Sequence, residues 1–126
     1  MKNYLLVAAL LNMSTLASAA TLEGTYDCSG TDDEHPGVVF KGVMVIKKTG
    51  QTYAINSSYS DGVSSIGTGI YDQAKHNLSF IFANPKNANE TGLAIMDVKR
   101  DYTMTSNWTY LNQTTIGHSV CSKHVL

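Results

Sequence analysis

Beyond residue 20, apolar and polar side chains alternate with a period of two along much of the chain, the mark of pleated strands that bury one face. Leu22, Gly24, Tyr26 and Cys28 interleave with Glu23, Thr25 and Asp27. From Val38 to Lys48, Phe40, Met44 and Ile46 share one face, while Lys41, Val43, Val45 and Lys47 take the other. Thr49-Gly50 predicts a turn into Gln51 to Ser60, where Tyr53, Ile55 and Tyr59 lie on one side, and Asp61-Gly62 predicts a hairpin into Val63 to Tyr71. Asp72 to Asn77 reads as a polar turn. Leu78 to Ala83 reads as a strand with Leu78, Phe80 and Phe82 together, and Asn84 to Thr91, which contains Pro85, as a polar loop. Gly92 to Lys99, Tyr102 to Leu111 and Thr115 to Lys123 complete the set. In this region the helix-forming residues are sparse and never fall at helical spacing.

Strands joined in sequence by short turns predict an all-β single domain with an antiparallel up-and-down course. Left open, such a meander exposes its first and last strands as unpaired edges, and closing it into a barrel removes both. The two cysteines fit closure. Cys28 ends the first predicted strand and Cys121 lies in the last, so a bond between them requires those strands to meet. The expected architecture is an eight-stranded antiparallel barrel closed by one disulfide. Gly67 and Gly69, between Ile66, Thr68 and Ile70, would either leave a void or let the sheet bend sharply, and bending is the preferred reading.

The start of the chain differs from the rest. Met1-Lys2-Asn3, the apolar stretch from Tyr4 to Leu11 and Ala17-Ser18-Ala19 have the cationic, apolar and small-residue parts of a secretory leader. This predicts a signal peptide over 1–19, a β-barrel domain over 20–126, a periplasmic or secreted product and an oxidising environment for the disulfide. No later apolar stretch approaches the roughly 20 residues of a membrane-spanning helix. Nine Lys and Arg, one of them Lys2 in the leader, face ten Asp and Glu with no long run of either sign, which argues against nucleic acid as a partner.

Gly24-Thr25-Tyr26 on the first strand, the one-pass meander and Lys123 on the last strand resemble the calycin superfamily of lipocalin-like and avidin-like barrels. Those families usually carry Gly-x-Trp at the first motif and arginine at the second. Gly-Thr-Tyr, the Gly67-Thr68-Gly69 segment, Leu78-Ser79 and Trp108 are also similar to short exported bacterial proteins labelled fibronectin-binding. The resemblance implies a small binding barrel.

Candidate chemistry is limited. Asp32-Asp33-Glu34-His35 places three carboxylates beside an imidazole, but without the alternating acidic positions and central glycine of an EF-hand loop it reads as a charged lip at a barrel mouth. No metal and no cofactor are expected. His35, His76, His118 and His124 are scattered, and no nucleophile elbow or His-Glu-x-x-His segment occurs. His118 shares the parity of Ile116 and Val120 and is therefore expected to point into the barrel. Tyr102, Met104, Ser106, Trp108 and Tyr110 fall on one face, the wall of a core or of a cavity. The binding candidates are Asp32, Asp33, Glu34, His35, Tyr102, Trp108 and His118, and the loops of interest are 29–37 and 84–91. These point to an exported non-enzymatic binding module that contacts a host or envelope protein through mouth loops. The alternatives are an inhibitor of an exported enzyme such as lysozyme, whose basic surface an acidic loop would suit, and a carrier of a small apolar ligand in the barrel.

Overall fold

The computed structural model describes residues 21–124, so the expected leader lies outside the described residues. Eight strands follow in order: β1 (Gly24–Thr31), β2 (Phe40–Thr49), β3 (Thr52–Tyr59), β4 (Ser64–Asp72), β5 (Asn77–Asn84), β6 (Asn87–Val98), β7 (Met104–Tyr110) and β8 (Gly117–Lys123). Each pairs antiparallel with its sequence neighbours, and β8 returns to β1 to close the barrel. Closure leaves neither terminal strand as an open edge. At the seam Cys28 stands opposite Cys121, the two Cα atoms lie 4.1 Å apart, and the side chains form the disulfide.

The alternation read from the sequence sets which residues enter the barrel. Met44 and Ile46 on β2, Ile55 on β3, Leu78 on β5 and Met96 on β6 are buried, and their neighbours Val45, Asn56, Ser79 and Asp97 are exposed. One segment departs from expectation. Asn84 to Thr91 is a two-residue turn at Pro85-Lys86 flanked by strand, with a register irregularity at Ala83/Asn84. Asn87, Ala88 and Asn89 lie beyond the packed interior and are exposed, so they show no apolar alternation for a reader of the sequence to follow.

Gly67 and Gly69 are positions of close approach. Neither leaves a void, because atoms of β3 and β5 occupy the space a side chain would take. A Cβ on Gly69 would come within 2.9 Å of both Ile55 Cδ1 and Phe80 Cβ, and one on Gly67 within 2.5 Å of the Ile81 carbonyl oxygen.

The interior divides into two halves. Toward the β2–β3, β4–β5 and β6–β7 turns it is packed solid by Leu22, Tyr26, Ile46, Ile55, Leu78, Met96 and Met104. The fully buried Tyr26 donates its hydroxyl hydrogen to the Leu22 carbonyl at 2.7 Å, tying the segment before β1 across this end as a plug. Lys123 Nζ donates to the Thr21 carbonyl at 3.2 Å and lies 4.6 Å from the centre of the Tyr102 ring, so its charge rests on an aromatic face. The opposite end, beneath the β1–β2, β3–β4, β5–β6 and β7–β8 loops, is not filled.

Candidate functional site

The unfilled end is a cavity of about 300 Å3 that opens between the mouth loops. Its floor is the top of the packed half: Met44, Phe80, Ala94, Met96 and the Cys28–Cys121 pair. Its depth follows from the residues that the strands turn inward there. Where the closed half has Met, Leu and Ile, β3, β4, β7 and β8 present Ser57, Ser65, Ser106 and Ser119, which are too short to meet across the barrel. Ser57 and Ser106 are both more than nine-tenths buried. Ser106 makes no side-chain hydrogen bond to another described residue, and its hydroxyl faces the cavity space.

Aromatic rings form one wall. Phe80 and Phe82 on β5 lie 6.2 Å apart centre to centre, Phe82 meets Tyr110 edge-on at 5.8 Å, and Tyr110 meets Trp108 edge-on at 5.5 Å. Such near-perpendicular contacts place the positive edge of one ring on the negative face of the next. Gly117 makes this possible, since a Cβ there would overlap the indole of Trp108. The ring chain is continuous from the floor to the rim, and Tyr59 faces the same space from β3.

The rim is acidic. Asp32, Asp61 and Glu90 line the cavity, and no lysine or arginine does so among the described residues. The Asp32 carboxylate accepts from the His35 amide at 2.8 Å and lies 2.9 Å from His35 Nδ1, so His35 is held at the lip. His35 in turn packs edge-on against Phe40 at 5.6 Å. Glu90 accepts a hydrogen bond from the neutral Asn84 amide at 3.0 Å. Burial pushes the Tyr110 hydroxyl up to about 12, and the Glu90 charge adds to the effect, followed by Tyr59, Asp32 and Asp61. Burial likewise raises Tyr59, with a hydrogen bond from Ser57 working against it and Asp61 adding to it.

The residues singled out in the sequence separate into three groups. Asp32, His35 and Trp108 line the cavity, with Cys28 and Cys121 in its floor. Asp33 and Glu34 stay on the outer side of the same loop, where Glu34 accepts from the Thr115 hydroxyl at 3.4 Å. Tyr102 and His118 lie elsewhere. Tyr102 sits in the β6–β7 turn at the closed end with φ +61°, its ring beneath Lys123, and β7 begins only at Met104. His118 points outward, contrary to the parity reading, and its Nδ1 lies 2.7 Å from Asn107 Oδ1 on the outer face of β7. The inward residues of β8 are Gly117, Ser119 and Cys121, small because the Trp108 indole and the disulfide occupy the space beside them. The sequence reading missed Asp61, Glu90 and Ser57, whereas it had placed Ser106 on the wall of a core or cavity. Asp61 was read only as half of a turn and Glu90 as part of a loop, while an inward serine gives no signal against an alternating background.

Among the described residues no cluster of three or more His, Cys, Asp or Glu side chains is placed to hold a metal ion, and no helix is long and apolar enough to cross a membrane. No protein-family model matches the chain. No curated protein matches it either. Solved structures do resemble it. A redesigned β-barrel, mFAP1, bound to DFHBI superposes with a TM-score of 0.66 at 17% identity, covering 81% of this chain and 94% of that one. EF1p2_mFAP2b bound to DFHBI gives 0.60 at 12% identity, with 82% and 94% covered. At these identities the likeness is one of fold: a small closed β-barrel.

Proposed function

We propose that this chain is a non-enzymatic binding module, exported by its leader, that holds one small and largely apolar molecule in the open half of its barrel. The carrying observation is the asymmetry of the interior. One half is packed to the axis, while the other keeps a cavity of about 300 Å3 walled by Trp108, Tyr110, Phe82 and Phe80. That volume is at the small end of ligand-binding clefts, which are mostly apolar with a few directed polar groups. The serine hydroxyls at mid-depth supply those groups. Two barrels of similar fold, mFAP1 and EF1p2_mFAP2b, are bound to the small molecule DFHBI, which supports the same use of the architecture. The sequence alone favoured protein contact because the interior predicted for an eight-stranded barrel is small. A cavity of this size reverses that preference, and contact with a host or envelope protein, or inhibition of lysozyme, has no comparable observation behind it.

Trp108 is the single tryptophan of the chain and forms part of the wall, so its emission reports occupancy directly. Titration with apolar aromatic and short acyl compounds is expected to give a saturable 1:1 change. Ala94→Phe, which fills the floor of the cavity, is expected to abolish that change in a protein with an unaltered far-ultraviolet spectrum. If no compound of either class gives a saturable response up to millimolar concentration, the ligand-binding reading is wrong.

A further inference from the structure

The rim and the wall together say what charge the ligand carries. Three carboxylates, of Asp32, Asp61 and Glu90, face the cavity, and no lysine or arginine lines it among the described residues. Asp32 is partly satisfied by His35, but the partner of Glu90 is a neutral amide, and among the described residues Asp61 accepts only from the Val63 backbone at 3.0 Å. Directly beneath Glu90 on the inner face of β6 is Gly92, whose register partners on the neighbouring strands are Phe82 and Tyr110. Glu90 therefore stands one pleat above an aromatic surface whose π-faces attract positive charge, a pairing that favours a cation on both counts. Deeper in, Ser106 lines the cavity and presents a hydroxyl within reach of a bound molecule.

We infer that the cavity takes an organic cation: a molecule with an aromatic-sized apolar body lying along Trp108 and Tyr110, and an ammonium group held at the rim between Asp61 and Glu90. The inference rests on the ligand-binding reading and adds its charge class. A metal ion would need donors converging on one point, and the described residues contain no such cluster. An anion would face an uncompensated negative rim, and a neutral molecule would leave the rim unused.

The test compares three probes that share one bicyclic body: 1-naphthylmethylamine, 1-naphthylmethanol and 1-naphthoate, titrated by calorimetry at neutral pH. The amine is expected to bind at least about tenfold more tightly than the alcohol, the gain of one favourable cation–π and charge contact, with the carboxylate weakest. In a protein carrying Asp61→Asn and Glu90→Gln, the preference for the amine over the alcohol is expected to shrink to within about threefold. Should that variant not fold, the wild type still decides. Its amine preference is expected to fall as salt rises to about 0.5 M, where screening acts within a few ångströms. Equal affinity for all three probes, or tightest binding of the carboxylate, overturns the charge assignment and leaves the ligand-binding reading standing. No binding of any of the three at millimolar concentration overturns the charge assignment, and the ligand-binding reading falls with it if short acyl compounds also fail to bind.

Discussion

Breaking the Cys28–Cys121 bond tests how the barrel is stabilised, because the folded state already holds the two strands together without it. β1 and β8 are paired from Tyr26 with Lys123 to Thr31 with His118, so reduction leaves the backbone ladder of the seam in place. The main effect therefore falls on the unfolded chain, which gains the freedom of a long loop. With a sequence separation of 93, the loop-closure relation gives a loss on the order of 4.6 kcal/mol at 25 °C. That is a large share of the roughly 5–15 kcal/mol by which most domains are stable. The assay is equilibrium urea unfolding of the oxidised protein, of the reduced protein, and of a Cys28→Ala, Cys121→Ala variant. The reduced protein is expected to lose about 3–5 kcal/mol and to show a larger m-value, since an uncrosslinked unfolded chain exposes more surface. The alanine variant is expected to lose somewhat more, because Cys121 is fully buried and its sulfur fills part of the cavity floor. A loss below about 1.5 kcal/mol on reduction, with an unchanged m-value, would refute the reasoning, since it would mean that the unfolded chain does not feel the loop.

Other expectations follow from the same geometry. Gly117→Val places side-chain atoms where the Trp108 indole lies; displacement of the ring is expected to cost about 1–3 kcal/mol and to red-shift its emission, read together in one fluorescence-monitored urea titration. Leu78→Ala, at a fully buried position of the closed half, is expected to cost about 2–5 kcal/mol, whereas Ser79→Ala on the outer face is expected to change stability by less than about 0.5 kcal/mol. Burial pushes Tyr26 up to about 12, with the Tyr102 charge adding to it. The folded state thus holds its proton more tightly than the unfolded state, and stability is expected to be constant below about pH 10 and to decline between about 10 and 12, with Tyr26→Phe flattening that decline in chemical-denaturation curves. His118→Ala is expected to leave the affinity of any cavity ligand unchanged in the Trp108 titration, because its ring lies outside the barrel beside Asn107.

The strand pattern was legible because a barrel with a solid half imposes strict alternation: Met44, Ile46, Ile55, Leu78 and Met96 had to be apolar and their neighbours did not. The seam was legible because only two cysteines occur. Where the pattern failed, the cause was a shortage of apolar contrast. β8 carries Ile116 and Val120 just before and on its outer face, each about half exposed, against Gly117, Ser119 and Cys121 inside, so the more apolar parity was the wrong one and His118 was assigned with it. A small barrel leaves apolar side chains on its outer surface, as Ile66, Ile70, Ile81 and Leu93 also show, and hydrophobicity alone then does not distinguish inside from outside. The site was half legible. Trp108 and the Asp32–His35 lip were visible as an aromatic strand and an acidic loop, but their meeting with Asp61 and Glu90 depends on four loops gathered at one end, which only the closed topology provides.

An even number of up-and-down strands has one more effect. β1 starts and β8 finishes at the plugged pole, so both ends of the folded domain emerge on the side away from the entrance. A fusion partner, affinity tag or surface tether joined at either terminus would hold the molecule by its base, with the acidic doorway facing outward and its approach clear.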